Sequence, residues 1–288
     1  MPVGAGIVDA GAAPKMPLTT AYAASLATYL RLHLTYLWRH ARPLSLRDPQ
    51  SFTELVQRRK LKDRDPRMSA LIDKLAVKQI VADRLGAQWT TPTLWSGMVL
   101  PERPPCAAPF VVKSRHGCRQ MRIVRSERDD WRAIRRASAR WVRRSYGRWL
   151  DEWGYRGVPR GLLIEPLIGD GRGLPIDYKL YVFHGRVGAI QVHLDRETDH
   201  RWTLYDRDWR RLSAATSDGD PPPPASLVQM IEGAEALAAG FGFVRIDLYD
   251  IGGMPRFGEM TFYPGSGLDR FDPVALDRWL GQLWLAGA

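Results

Sequence analysis

Three polar side chains near the C-terminal end stand at a spacing that can hold a divalent cation: Asp247, Glu259 and Thr261. Residues 243–249 and 256–262 are β-rich, and Gly252-Gly253 between them supplies a turn. An antiparallel hairpin centred on Gly253 sets Asp247 opposite Glu259, and the two-residue side-chain period puts Thr261 on the face of Glu259. Two opposed carboxylates repel. A cation between them reverses the sign, and hard oxygen ligands shared with a phosphate are what Mg²⁺ takes. The same residues also suit a solvated acidic rim on an edge hairpin, and the stretch alone does not decide between the two.

Lysine is scarce, so its placement is informative: of 42 basic residues only seven are Lys. Lys113 ends an apolar run and leads into Ser-Arg-His-Gly. An ammonium beside the amides of a glycine loop suits phosphate, whereas a strand-end lysine in solvent is the commoner arrangement. Asp177 and Lys179 stand two apart in a strand pattern and share a face, as a plain ion pair or as part of a site. Glu165 follows three aliphatic residues and precedes Pro166, a strand exit that suits either a nucleotide contact or a loop cap. His116, His184 and His193 lack metal-ligand spacing and are read as structural or exposed. No GxSxG, HExxH, Walker-type or Rossmann glycine pattern is present.

The elements that must position these groups follow from periodicity and breakers. Residues 1–20, rich in Gly, Ala and Pro, are expected to form a flexible leader, followed by a helical segment over 21–90. Within it, helices are expected over about 22–39, over 52–62 behind a Ser51–Glu54 capping pair, and over 68–85. Strands are expected over 110–113, 121–124, 162–165, 177–183, 186–193 and 201–206. An Arg-rich helix is expected over 126–150, with Trp131, Ile134, Trp141 and Trp149 forming one apolar side. Further helices are expected over 227–239 and 271–285. Alternating strands and helices with several antiparallel hairpins argue for an α+β or mixed α/β fold.

At 288 residues and 45% hydrophobic content the chain can bury a sizeable core. No apolar run reaches membrane-spanning length. Two cysteines are too few for a disulfide framework or a zinc site. The formal charge of +11 favours an acidic partner. Twelve Arg residues between Arg115 and Arg148, interleaved with Trp, suit either nucleic acid or a helix covering its own sheet. The expected compartment is cytoplasmic, with the basic, aromatic stretch 29–42 as a candidate contact with the inner membrane face.

In order, several of these segments resemble the TupA-like (teichuronopeptide-type) branch of the ATP-grasp superfamily. They are residues 52–63, Asp73-Lys-Leu-Ala-Val, Phe110-Val-Val-Lys-Ser-Arg-His-Gly and the strand ending at Glu165. Asp177-Tyr-Lys-Leu-Tyr-Val-Phe-His-Gly, Ile190-Gln-Val and Tyr205-Asp-Arg-Asp-Trp continue the order. Phe243-Val-Arg-Ile-Asp-Leu-Tyr and Phe257-Gly-Glu-Met-Thr-Phe-Tyr-Pro-Gly-Ser-Gly carry it most strongly. The resemblance spans about residues 44–284.

It implies an α+β ATP-grasp fold in which two lobes, 91–166 and 167–288, clamp ATP. Lys113 and Lys74 or Lys78 would then face the phosphates, and Glu165 the adenine–ribose hinge. Lys179, beside Asp177, would meet the phosphates or the acyl intermediate. Arg245 would meet the acidic substrate, and Asp247, Glu259 and Thr261 would hold Mg²⁺. The implied chemistry is carboxylate activation by the γ-phosphate followed by attack of an amine. The implied substrate is a small molecule or an acidic cell-surface glycan, and nucleic acid falls outside it. Two positions depart from the family pattern. The loop after Lys113 runs His116-Gly-Cys-Arg-Gln where the family has a glycine-rich run, and Pro166 stands where a second acid often follows Glu165.

Overall fold

Two antiparallel sheets with helices packed against them build an α+β fold, as expected from the sequence. The computed structural model of the chain describes residues 25–169, 173–214 and 219–287. The expected leader over 1–20 lies outside these residues, as does part of the Pro-rich loop 217–224.

The N-terminal segment is helical: α1 (Leu26–His40), α2 (Phe52–Lys62), α3 (Arg67–Ile72) and α4 (Ala76–Leu85). Ser51 caps α2 as the sequence predicts, its hydroxyl accepting from the Glu54 amide while the Glu54 carboxylate accepts from the Ser51 amide at 3.1 Å. The single helix expected over 68–85 is instead two, α3 and α4. Asp73 leaves helical geometry with ψ 112°, its carboxylate accepting from the Leu75 amide at 3.0 Å and from Arg115 Nε at 2.6 Å. Those side-chain bonds outcompete one more helical turn.

The first sheet orders its strands β1-β4-β2-β3, from β1 (Trp95–Gly97), β2 (Phe110–Ser114), β3 (Met121–Val124) and β4 (Leu162–Pro166). Phe110, Val112, Leu162 and Ile164 form one buried face under α5 (Trp131–Arg143). The sequence pattern extends this helix to 126–150, and the structure shortens it at both ends. Asp129 ties the Arg125 and Ser126 amides, and Asp130 is the cap that accepts from Ala133. Trp149 therefore leaves the apolar side and lies exposed beneath the Arg31 guanidinium, 5.6 Å from it. Lys113 and Glu165 occupy the opposite face of this sheet as diagonal neighbours, since Lys113 pairs with Leu163 and Val111 with Glu165.

The second sheet, ordered β7-β6-β5-β8-β9, comprises β5 (Asp177–Phe183), β6 (Arg186–Leu194), β7 (Arg201–Tyr205), β8 (Phe243–Ile251) and β9 (Met254–Thr261). One face, bearing Leu180, Val182, Val244, Ile246 and Leu248, is buried against α6 (Leu227–Leu237). The other face changes character along its length. Phe183 pairs with Phe243 at one end, and Lys179 pairs with Asp247 at the other. Phe52 of α2 sits on the aromatic end, with ring centroids 4.9 Å from Phe243 and 5.5 Å from Tyr181. The last helix, α7 (Ala275–Leu285), crosses α2 so closely that a Cβ on Gly281 would lie 2.3 Å from the Gln50 carbonyl oxygen.

The β8–β9 pairing places Asp247 opposite Glu259, as the sequence predicts, but by a different route. The turn is centred between Gly252 and Gly253, which alone would set Asp247 against Gly258. Gly258 is bulged out, shifting the register by one between Leu248 and Asp247. A Cβ there would lie 3.0 Å from the Asp247 carbonyl oxygen, so glycine is what lets the carboxylates face each other.

Phe52 joins the N-terminal helices to the second sheet. Phe52→Ala is expected to cost about 3–5 kcal/mol, seen as a lowered urea midpoint with an unchanged slope.

Candidate active site

At the polar end of the second sheet, Asp247 is the hub. Arg245 Nε reaches its Oδ1 at 2.7 Å, Arg245 Nη2 reaches Oδ2 at 2.7 Å, and Lys179 Nζ reaches Oδ2 at 2.6 Å. Burial pushes the Asp247 carboxyl up, but the Arg245 and Lys179 charges outweigh it and hold the group below the usual carboxylate range. Lys179 is correspondingly raised: burial is the largest influence and opposes its charge, and the carboxylates of Asp247, Asp177 and Glu259 together outweigh it. Lys179 also donates to Asp177 Oδ2 at 2.7 Å, and Arg196 donates to the same oxygen at 2.9 Å. Asp177 Oδ1 is buried without a partner among the described residues.

Thr261 lies beside this hub, 3.3 Å from Arg245 Nη2 and 3.4 Å from Glu259 Oε1. Glu259 is the most open of the set, its side chain 33% exposed against 2% for Asp247. A carboxylate offers about four lone-pair positions, and Arg245 with Lys179 takes three of those on Asp247. Among the described residues, no three His, Cys, Asp or Glu side chains stand together as a metal cage. A cation between Asp247 and Glu259 would thus draw further oxygens from a bound phosphate, which is how Mg²⁺ is usually held. The donor set fits that ion.

On the first sheet, Lys113 Nζ donates to Glu165 Oε2 at 2.6 Å, and Lys78 of α4 pairs with Oε1. The two residues assigned by resemblance to phosphate and hinge are thus in direct contact. Burial pushes Glu165 up, and the charges of Lys113 and Lys78 bring it below its ordinary range. Lys78 also donates to the Thr91 carbonyl at 2.7 Å and to Thr93 Oγ1 at 2.8 Å. Lys74 meets the glycine loop through its backbone, donating to the Gly117 carbonyl at 2.8 Å.

The glycine loop and the β8–β9 hairpin lie within electrostatic reach of each other. Burial raises the Cys118 thiol, and the Glu259 charge adds to that shift. Cys118 Sγ lies 2.9 Å from Tyr155 Oη, and the Gly154 amide donates to Tyr263 Oη at 3.2 Å, tying the segment before β4 to the end of the hairpin. Behind that hairpin end, Lys60 is fully buried with its ammonium on the Ser266 carbonyl and hydroxyl at 2.8 and 2.7 Å. Burial pulls it down to about 8 against the pull of Glu152 and Asp151.

Sequence reasoning missed Lys60, Arg196 and the Cys118–Tyr155 contact. Lysine scarcity was an available signal for Lys60, but nothing local distinguishes Arg196 among so many arginines. His193 and His184 are structural in the sense expected. His184 Nε2 lies 2.7 Å from the Trp284 carbonyl. Burial, with the nearby Lys179 and Arg245, pulls His193 down to about 3.

The Glu165 pairing has a pH signature. Its folded value lies below the unfolded one, so its stabilisation is complete above the unfolded range near pH 4.3. That stabilisation is lost as pH falls through the lower folded value. Glu165→Gln should lower stability at pH 7 and flatten the fall in stability as pH drops below about 4.3. Urea unfolding across that range measures it, and an unchanged steepness would contradict the pairing.

A family model described as TupA-like ATP-grasp matches residues 54–285. No curated protein sequence matches the chain. Among solved structures, the chain is similar to D-alanine–D-alanine ligase from Bacillus anthracis complexed with ATP, at 15% identity and TM-score 0.43, covering 68% of this chain and 55% of that one. It is also similar to the ATP-grasp ligase PsnB complexed with minimal precursor, at 15% identity and TM-score 0.44, covering 77% and 61%. A third is an L-amino acid ligase from Bacillus licheniformis, at 15% identity and TM-score 0.43, covering 75% and 44%. The chain thus spans between 44% and 61% of these proteins' lengths. With the match running from α2 to the end of α7, the chain belongs to the TupA-like ATP-grasp family.

Proposed function

We propose that this protein is an ATP-dependent carboxylate–amine ligase, joining an amino acid or another amine to an acidic cell-surface glycan or its precursor. The observation that carries this is the Lys179–Asp247–Arg245 network facing Glu259, because it fixes both signs of charge where a transferring phosphoryl group needs them. The family supports ATP as the energy source.

Each group has a defined task. Lys113, released in part from Glu165, binds the phosphate chain as a point charge, and Lys74 holds the glycine loop in place by its backbone. Asp247, Glu259 and Thr261 would hold Mg²⁺, which would supply neutralisation of phosphate charge. Lys179 and Arg245 face the charge that builds up as a substrate carboxylate oxygen takes the γ-phosphoryl group and ADP leaves. The amine nitrogen then attacks the acyl carbon, the amine proton leaves, and inorganic phosphate departs. Phosphoryl transfer is mostly positioning and charge neutralisation, and a buried network of fixed ions supplies both.

The net charge of +11 favours an acidic substrate. No helix among the described residues is long and apolar enough to cross a membrane. Dependence on ATP assigns the reaction to the cytoplasm, with the inner membrane face as the place where glycan precursors would be met. The competing readings are a phosphotransferase and a nucleotide- or acidic-ligand-binding protein without turnover; the altered loop bears on both, since Arg119 and Gln120 stand where backbone glycines would approach phosphate.

Hydroxylamine separates these outcomes, because only an acyl phosphate gives a hydroxamate. With Mg-ATP and glucuronate or an acidic oligosaccharide, the protein should form hydroxamate. Glu259→Gln and Asp247→Asn should lower the rate by about 10²-fold or more with circular dichroism unchanged. Phosphorylated product without hydroxamate would replace the ligase by a kinase, and full activity in Glu259→Gln would remove the metal assignment.

A further inference from the structure

The segment between α5 and β4 encloses, with the glycine loop, a pocket of about 390 Å³ outside the groups placed above. Its lining includes His116, Tyr146, Arg148, Tyr155, Arg156 and Arg160, and none of its lining residues is acidic. Arg160 holds its wall through Ser145 Oγ at 3.0 Å and the Arg143 carbonyl at 3.5 Å. A guanidinium has five donors in a fixed fork, so these bonds leave Arg160 others to offer a ligand.

His116 gives the pocket a second kind of recognition. Its side chain is buried, and Nε2 lies 3.2 and 3.3 Å from the Trp141 and Arg144 carbonyl oxygens at the end of α5. Carbonyls only accept, so Nε2 carries the hydrogen. Burial first, with the Lys74 and Arg160 charges, keeps the ring neutral, which makes Nδ1 an acceptor. That acceptor is buried with no partner among the described residues. A buried unpaired acceptor is costly and marks a place where a ligand donor fits.

The remaining wall is aromatic. Tyr146 and Tyr155 lie 4.7 Å apart, and the Tyr155 hydroxyl touches Cys118, whose thiol feels the Glu259 charge. A ligand seated here would therefore end beside the glycine loop.

We propose that this pocket binds a hydroxylated oxyanion, a sugar acid or sugar phosphate unit. Guanidinium groups take its anionic group, His116 Nδ1 accepts from a ring hydroxyl, and the tyrosines cover its apolar face. The role as an anchor for the acidic substrate rests on the ligase function proposed above; the binding itself does not.

The test is calorimetric titration of the full-length protein, without nucleotide, against glucuronate, glucose 6-phosphate, glucose and inorganic phosphate. Glucuronate or glucose 6-phosphate should bind, the tighter of the two naming the anionic group, and glucose should bind at least tenfold more weakly. Arg148→Gln and Arg160→Gln should each weaken the anionic sugar about tenfold, the loss of one charge-assisted hydrogen bond. His116→Gln keeps a donor for the α5 carbonyls and removes the Nδ1 acceptor. It should weaken the anionic sugar while leaving inorganic phosphate binding unchanged, which general disruption of the pocket would not do.

Equal binding of glucose and glucuronate, or unchanged affinity in both arginine variants, would overturn the proposal. So would an equal loss of Mg-ATP affinity in those variants, which would make the pocket part of the nucleotide site. Intact glucuronate binding without hydroxamate formation would instead leave the pocket standing and overturn the ligase function.

Discussion

One carboxylate shared by two cations holds this site together. Asp247 is buried on β8, and its charge is tolerable there only because Arg245 from its own strand and Lys179 from β5 both bond to it. An isolated buried carboxylate would neutralise itself, and an isolated buried ammonium would do the same. The pairing keeps all three groups charged at once. It also fixes side chains that would otherwise move, because the strand register sets Lys179 directly opposite Asp247. Asp177 and Arg196 extend the network from the other side of Lys179.

The apolar parts of the chain serve to keep this network dry at one edge and reachable at the other. Phe52 covers the aromatic end of the same sheet face, and α6 closes the opposite face. Tyr263, Tyr155 and Cys118 then connect the hairpin end to the glycine loop of the first sheet through side-chain contacts. The two sheets share no strand, so their relation depends on such contacts and on the helices between them.

Much of this was legible in the sequence where the signal is local. The capping pair Ser51–Glu54, the hairpins and the Asp247–Glu259 opposition all follow from short-range pattern. Even there, the hairpin needed a bulge at Gly258 that no turn rule supplies. Errors arose where a side chain finds a distant partner. Asp73 interrupts a helical pattern because Arg115 and the Leu75 amide hold it. Lys78 joins Lys113 on Glu165 from another element. His116, read as structural or exposed, is structural, and its partners lie at the end of a helix that the sequence drew too long. Such meetings depend on the tertiary fold, and single-sequence pattern does not carry them.

The cluster on Glu165 contains two ammonium groups and one carboxylate, so one positive charge is left over. Lys113 is the more open of the pair, 29% exposed against 17% for Lys78, so the surplus sits toward solvent. A surplus of this kind acts at a distance before any contact forms, over roughly 8 Å at physiological ionic strength. It gives the first sheet an attraction for anions that is felt before any hydrogen bond is made. The network on the second sheet sets Lys179, Arg196 and Arg245 against Asp177, Asp247 and Glu259, so its charges cancel at a distance and are felt only at contact.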